Sequence, residues 1–291
     1  MNNDDILQRF IFEKSSIRGE LVRLGLSFTE IVTQHDYPGF IKKILGELLV
    51  VGTLLSAIIK FKGKLTVQFQ GKGKLKLLIA EATNEHTIRG LAQWDKSLTE
   101  SELSEAFQQG VLVIIMQGKK VTQHYQGIVA WQGNNLAQSI EGYFRDSEQL
   151  LTRVWLAVND TKAAGMLLQV LPGKNEHMPA DWDTIVHLSD TVKPEELLEL
   201  DNETLLRRLY TIEAEVRLFP ATPVRFRCTC SQTRSENALL LLGQEEAKAE
   251  LKNKNEIVVT CDFCSKKYVF DRIDVEKLFK QRGGPSSTQV H

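Results

Sequence analysis

The sequence has few cysteines, no excess of charge of either sign and no long hydrophobic run. Only 4 of its 291 residues are cysteines, and 36 Lys and Arg residues nearly balance 37 Asp and Glu residues. A chain without an overall positive charge lacks a general attraction to nucleic acids and anionic membranes. With 42% hydrophobic and 25% charged residues, the composition predicts one large or two modest folded domains, and it excludes disordered and collagen-like proteins.

Membrane and secretion signals are also missing. The most apolar stretch, residues 48–59, is shorter than the roughly 18 to 20 apolar residues that a membrane-spanning helix needs, and it is interpreted as a core helix. The N-terminal residues carry acids where a secretory signal carries bases, and a small-residue cleavage site is missing. We therefore expect a cytoplasmic protein without a membrane partner.

The near-neutral total conceals three regions of different charge. Residues 1–175 have a net charge of +3, residues 176–215 of −8, and residues 216–291 of +4. Together with the hydrophobic pattern, this division predicts an N-terminal α+β domain over residues 1–175, an acidic helical linker over 176–225 and a small C-terminal domain over 226–291.

Within the first region, apolar residues recur with both helical and strand spacing. Helical spacing predicts helices over residues 18–32, 40–59 and 135–150. Alternating spacing predicts a hairpin over residues 65–79 with a glycine turn at 71–73, a second hairpin over 111–128 with a turn at 118–120, and strands over 152–158 and 163–171. The predicted fold class is α+β, with a mostly antiparallel sheet flanked by helices.

The acidic linker carries two helical patterns, near residues 182–188 and 195–210, and Pro194 stands at the first position of the second helix. Its leucines and Trp182 do not make a complete core, so they must be buried against a neighbouring surface. We expect this acidic, leucine-rich segment to dock on a basic and apolar sheet face of the first domain.

The four cysteines form two close pairs in the last quarter of the chain. Residues 228–230 read Cys-Thr-Cys and residues 261–264 read Cys-Asp-Phe-Cys, so the pairs comprise Cys228, Cys230, Cys261 and Cys264. Four thiolates in two pairs are the soft donor set that Zn²⁺ prefers, and an intervening helical segment lets the pairs converge. The polar residues around them disfavour the alternative of four buried cysteines without a ligand.

A zinc ion bound there could be a structural staple or part of a switch. Losing a structural zinc removes a folding contribution of order 10 kcal/mol, which a region of this size cannot easily replace. Cys261 and Cys264 have the spacing of a redox dithiol, with Lys266 and Lys267 beside them to favour thiolate. Cys228 and Cys230 in an extended chain stand nearly 7 Å apart at Cα, so a disulfide between them would be strained and readily reduced.

The chain resembles the bacterial redox-regulated heat-shock chaperone family of 33 kDa, an ATP-independent holdase family, over essentially its full length. The resemblance rests first on the paired cysteine motifs. It also includes Ser231 and Arg234, Tyr268 and Phe270, and residues 64–71, 142–144, 147–150, 167–169 and 171–172.

The resemblance implies that the protein is inactive while Cys228, Cys230, Cys261 and Cys264 hold one zinc ion. Oxidation would then form disulfides between Cys228 and Cys230 and between Cys261 and Cys264, with loss of zinc and unfolding of the C-terminal region and the linker. The oxidised form would dimerise and bind unfolding client proteins. Met166 stands where the family usually has a smaller residue.

Parts of the sequence are also compatible with two other functions. A zinc-ribbon nucleic-acid-binding protein could use the lysine run Lys60, Lys62, Lys64, Lys72, Lys74 and Lys76, although this spacing also fits the solvated face of a hairpin and no aromatic residues interleave to stack bases. A thiol oxidoreductase could use Cys261 and Cys264. No enzyme active site is apparent in the sequence, and nucleic acid is not expected as the primary partner.

Overall fold

The computed structural model describes residues 4–59, 62–118, 124–132, 135–171, 181–210 and 215–282. Lys60, Pro172, the turn residues 119 and 120 of the second predicted hairpin, and the start of the linker at 176–180 lie outside the described residues. The chain divides into two compact units, Met1–Arg227 and Cys228–His291. Among the described residues, no helix combines the length and the apolar character needed to cross a membrane.

The first unit combines seven described helices with two sheets. Its strands are β1 (Ile6–Phe12), β2 (Ile17–Leu24), β3 (Gly63–Gly71), β4 (Leu75–Thr83), β5 (Thr87–Trp94), β6 (Gly110–Gly118), β7 (His124–Val129), β8 (Thr152–Val158), β9 (Ala163–Val170), β10 (Val216–Leu218), β11 (Thr222–Pro223) and β12 (Arg225–Phe226). Its helices are α1 (Leu26–Val32), α2 (Gly39–Ile58), α3 (Leu103–Gln108), α4 (Leu136–Tyr143), α5 (Trp182–Ser189), α6 (Pro194–Glu199) and α7 (Asn202–Leu209).

The strands pair mainly with antiparallel neighbours. The first sheet has the order β10-β1-β2-β9-β8, with β11 also on β1, and the second has the order β12-β5-β4-β3-β6-β7. Only the short pair of β12 with β5 is parallel among the described pairings. Both predicted hairpins are present, as β3 with β4 and β6 with β7. The predicted α+β class with mostly antiparallel sheets is therefore confirmed.

Helix α2 forms the centre of the first unit. It contacts strands of both sheets, and its apolar side chains belong to one large core with residues from β2, β3, β4 and β8. A helix that is apolar on nearly all sides needs such burial all round. A Cβ at Gly165 of β9 would overlap Val50 of α2, so this glycine permits the close approach of helix and sheet.

The prediction of a helix over residues 18–32 is wrong in its first half, because residues 17–24 form β2. This strand lies inside the first sheet, where Val22 and Leu24 face the α2 core and Ile17 and Leu21 face the opposite core. A strand that is buried on both faces has no clear alternation, and its apolar run cannot be told from a helix by periodicity.

The predicted helix over residues 195–210 is two helices, α6 and α7. Leu200 and Asp201 between them have extended backbone conformations. Asp201 begins α7, because its Oδ1 atom accepts a hydrogen bond of 2.9 Å from the backbone N–H of Thr204. The predicted first linker helix is confirmed as α5, and Pro194 stands at the first position of α6 as predicted.

Helices α5, α6 and α7, called the linker helices below, cover the face of the first sheet opposite α2. A second core joins them to β1, β2, β8 and β9. Its buried residues are Phe10, Phe12, Ile17, Leu21, Ala157, Ala164, Met166, Leu168, Trp182, Ile185, Leu197, Leu198, Leu205, Leu206, Leu209 and Tyr210. The expectation that the acidic segment docks on a sheet face is confirmed.

Polar contacts fix the linker helices at the edge of this core. Asp190 Oδ1 accepts hydrogen bonds from Arg153 Nη2 at 2.9 Å and from Trp155 Nε1 at 3.0 Å. Lys162 Nζ lies 2.7 Å from Glu199 Oε2. Basic side chains of β8 and of the turn after it thus contact acidic groups in the linker segment, in agreement with the predicted docking on a basic surface.

The second unit is small and consists of three helices and one hairpin in its described part. Its elements are α8 (Gln232–Leu242), α9 (Gln244–Asn253), β13 (Glu256–Thr260), β14 (Lys267–Asp271) and α10 (Arg272–Arg282). Strands β13 and β14 form an antiparallel hairpin. The buried apolar side chains in its described part are Leu239, Ala247, Ile257, Tyr268, Phe270, Val275 and Leu278.

Candidate metal centre

The two cysteine pairs converge in the second unit. Cys228 and Cys230 lie in the extended segment before α8, and Cys261 and Cys264 lie in the turn between β13 and β14. The Sγ atoms of Cys228 and Cys261 are 3.6 Å apart, and those of Cys230 and Cys264 are 3.5 Å apart. All four sulfur atoms lie within 4.8 Å of one another.

Local hydrogen bonds position each pair. In the turn, the N–H of Cys261 donates to the carbonyl of Lys266 at 2.9 Å, and the N–H of Ser265 donates to the carbonyl of Cys261 at 2.8 Å. Ser265 has a positive φ of 54°, which closes this tight turn. The hairpin therefore brings Cys261 and Cys264 to one side of the turn.

The first pair is ordered by the start of α8. Ser231 caps the helix, since its Oγ atom accepts a hydrogen bond from the N–H of Arg234. Arg234 reaches back, and its Nη1 donates to Thr229 Oγ1 at 2.8 Å. The positive end of the helix dipole lies beside Cys230, which favours a thiolate there.

Tyr268 of β14 provides a further contact with the cluster. Its hydroxyl donates to Cys230 Sγ at 3.1 Å. The Lys266 ammonium lies 5.2 Å from the centre of the Tyr268 ring. Tyr268 is one of the residues that carry the family resemblance, but the sequence predicted no role for it. Tyr268 and Cys230 are 38 residues apart in the chain, so no local pattern indicates their contact.

The thiols of Cys230 and Cys264 have pKa values shifted in opposite directions. Burial opposes ionisation of Cys230, but hydrogen bonds from Tyr268 and the other thiols outweigh it and lower its pKa to about 7. Burial raises the pKa of Cys264, and the neighbouring thiols raise it further. The hydrogen bond to Cys230 raises the pKa of Tyr268 to about 12. Four thiolates at these distances repel one another, so the full donor set needs a cation among the sulfurs.

The arrangement fits a tetrahedral metal ion. Four sulfurs that each stand about 2.3 Å from a zinc ion would be separated by about 3.8 Å. Two sulfur pairs lie at 3.5 and 3.6 Å, and the whole set spans no more than 4.8 Å. These four cysteines could therefore hold one metal ion without a fifth ligand.

The comparisons with known proteins agree with this geometry. A family model described as Hsp33 protein matches residues 5–271, a range that includes both cysteine pairs. The chain belongs to the Hsp33 family. The "33 kDa chaperonin" of Nitrosococcus oceani is 45% identical over 282 residues, covering 97% of this chain and 96% of that protein. The "33 kDa chaperonin" of Azotobacter vinelandii is 43% identical and covers 99% of this chain and 100% of that protein.

A solved structure shares the fold of this Hsp33 family member. The crystal structure of the 33 kDa chaperonin, an Hsp33 homologue, from Thermotoga maritima aligns with a TM-score of 0.80 over 96% of this chain and 99% of that one. The sequence identity is 20%, so this likeness supports the fold alone. Membership of the Hsp33 family, in contrast, supports a chaperone function for the chain.

Two lysines of the described part of the lysine run are paired with glutamates. Lys64 Nζ lies 2.5 Å from Glu81 Oε1, and Lys74 Nζ lies 2.6 Å from Glu102 Oε1. Lys62, Lys72 and Lys76 are exposed on the hairpin of β3 and β4. Ion pairs reduce the charge available to phosphates, which favours the interpretation of this run as a solvated hairpin face.

Proposed function

We propose that the protein is a redox-regulated, ATP-independent chaperone that holds unfolding client proteins during oxidative and heat stress. The observation that carries the proposal is the cluster of four cysteine sulfurs within 4.8 Å, in a chain of the Hsp33 family. It acts by binding and not as an enzyme. Its compartment is the cytoplasm, where thiols are normally reduced and oxidation is therefore a signal.

In the reduced protein, Cys228, Cys230, Cys261 and Cys264 would hold one Zn²⁺. When bound, a zinc ion of this kind joins its four ligands and contributes about 10 kcal/mol or more to folding. The second unit has few buried apolar side chains to replace that contribution. This small core supports the role of the metal centre as the element that keeps the reduced unit folded.

Oxidation would join Cys228 to Cys230 and Cys261 to Cys264. Each disulfide forms as one peroxide molecule accepts two electrons and two protons from a thiol pair and becomes two water molecules. Both disulfides are local and connect no separate parts of the unit, whereas the reduced cluster joins the segment before α8 to the β13–β14 turn. When two local disulfides replace the four-cysteine metal centre, the link between these two segments is lost. The second unit then unfolds.

Unfolding of the second unit would extend to the linker helices and expose the first sheet. The face beneath them contains large apolar side chains such as Phe10, Phe12, Leu21 and Leu168. An exposed apolar face of this kind can bind apolar segments of unfolding proteins by the hydrophobic effect. The oxidised form would also pair with a second copy as a homodimer.

The proposal can be tested on the zinc-loaded protein with peroxide under mild heat. We expect zinc release, followed with a chromogenic chelator, to precede suppression of light scattering from an unfolding client enzyme. Reductant alone is the control and should leave the client to aggregate. Equal suppression by the reduced form would contradict the redox switch, and salt-dependent RNA binding by the reduced form would favour the nucleic-acid alternative.

Replacing Tyr268 with phenylalanine should weaken metal binding by about tenfold, because the variant keeps the ring but loses the hydrogen bond to Cys230. Without that bond, the pKa of Cys230 should rise, and the thiolate that binds metal becomes less stable. Competition with a zinc chelator at neutral pH measures the affinity. Tyr37→Phe in the first unit is the matched control, and equal affinities in all three proteins would contradict the role of Tyr268.

A further inference from the structure

A carboxyl group lies at the junction between α2 and the linker helices. Glu47 of α2 lines a cleft of about 310 Å³ beside β8, the last strand of the first sheet. Residues from β8 and from the start of α6 complete the cleft, including Trp155, Pro194 and Leu197. The carboxyl group therefore belongs to the body of the unit, and part of its cover belongs to the linker helices.

The surroundings of Glu47 are mainly apolar. Within the described residues, no donor forms a hydrogen bond or ion pair with its carboxylate. Lys43, one turn earlier on α2, acts on it only through space, and Lys193 lines the cleft from the linker side. Asn135, which caps α4, and Ala137 of α4 line the cleft and carry no charge.

Other charged groups near this edge are already paired. Glu141 of α4 accepts a hydrogen bond of 2.8 Å from the N–H of Val154 and lies 3.5 Å from Arg153 Nε. Arg153 also contacts Asp190 of the linker segment. Residues 154–156 of β8, which line the cleft, carry no charge. Glu47 is thus a half-buried carboxyl group that α6 helps to cover without giving it a hydrogen-bond partner within the described residues.

We propose that docking of the linker helices is coupled to protonation of Glu47, so that these helices are held more firmly at mildly acidic pH than at alkaline pH. The inference rests on the linker release proposed above, and it adds pH to oxidation as a factor that controls this release. A neutral carboxyl group tolerates the apolar cleft, whereas a charged one is stabilised by water when α6 leaves.

The pKa of Glu47 determines the direction of the pH effect on docking and the pH range in which it occurs. Burial raises the pKa of Glu47 to about 7 in the docked state, with a smaller opposing effect of Lys43. An exposed glutamate has a pKa of about 4.3. The docked state therefore binds more protons between these values, so docking weakens as pH rises toward 7 and becomes independent of pH above it.

Amide hydrogen exchange in the reduced, zinc-loaded protein tests the coupling directly. The reporters are the amides of Leu197 and Leu200, which donate to the carbonyls of Lys193 and Glu196 in α6. After correction for intrinsic exchange rates, their opening constant should rise by up to about tenfold between pH 6 and pH 8. In Glu47→Gln, which cannot titrate, the opening constant should be the same at both pH values.

Two further variants separate Glu47 from other carboxyl groups. Glu47→Asp should keep a pH dependence, while Glu141→Gln and the exposed Glu30→Gln should retain the full dependence of the unchanged protein. An unchanged slope in Glu47→Gln, or a flat profile in the unchanged protein, would overturn the coupling. This experiment uses neither oxidant nor client, so its result is independent of the peroxide test. A protein that fails the peroxide test but keeps the pH dependence of linker opening would contradict the holdase function and still support the coupling to Glu47.

Discussion

Cys261→Ser should abolish metal binding, unfold the second unit and produce client binding without an oxidant. The serine oxygen is a poor replacement for a thiolate in a set of four sulfurs, and loss of a structural zinc removes about 10 kcal/mol of folding free energy. The seven buried apolar side chains in the described part of the second unit cannot offset this loss. Hydrogen exchange should then show loss of protection in β13, β14 and α10, while β3 and β4 stay protected.

Lys277→Ser is the matched control for this variant, since Lys277 is exposed on α10 of the same unit. It should retain zinc, protection of the second unit and dependence on peroxide. A Cys261→Ser protein with a protected second unit would show that the apolar core suffices for folding. A protein with an unfolded second unit but no client binding would separate the metal centre from the chaperone activity.

Leu205→Asp should release the linker helices while the metal centre stays intact. Leu205 is 0% exposed in the core between α7 and the first sheet. Removing a buried leucine side chain costs about 2 to 5 kcal/mol, and burial of an unpaired carboxylate adds to that cost. The expected result is client binding without peroxide, accompanied by faster exchange in α5, α6 and α7 and by unchanged zinc content.

Thr184→Asp places the same charge at an exposed position of α5 and should leave the linker helices docked. The pair of variants therefore separates the effect of burial from that of charge. If Leu205→Asp exposed the sheet face without binding clients, this face would not be the client-binding surface. If exchange in the linker helices did not change, their docking would not depend on this core.

Several features could be predicted because they depend on local spacing. Alternation around Gly71 and Gly73 predicted the β3–β4 hairpin, and this hairpin is confirmed. The charge of residues 176–215 and their leucines predicted docking on a basic, apolar surface, and the linker helices do cover such a face. These predictions succeeded because the spacing of the apolar residues in each segment shows which of its side chains must be buried together.

Two features, strand β2 and the break between α6 and α7, were not predicted because contacts with distant parts of the chain determine them. β2 was mistaken for a helix, since cores on both of its faces remove the alternation that marks a half-buried strand. The break at Leu200 and Asp201 was also missed. There, Arg23 of β2 donates to the carbonyl of Leu200, a contact between residues distant in the chain that local periodicity cannot indicate.

The sequence by itself determined the two cysteine pairs of the candidate metal centre, the acidic character of the linker and the resemblance to a chaperone family, because these depend on residue type and spacing. Tertiary structure alone decided that Cys228 lies 3.6 Å from Cys261 and Cys230 3.5 Å from Cys264, that Tyr268 contacts Cys230, and that Glu47 shares a cleft with the linker helices. Contact distance and desolvation arise only when distant segments pack together, so they leave no local pattern in the chain.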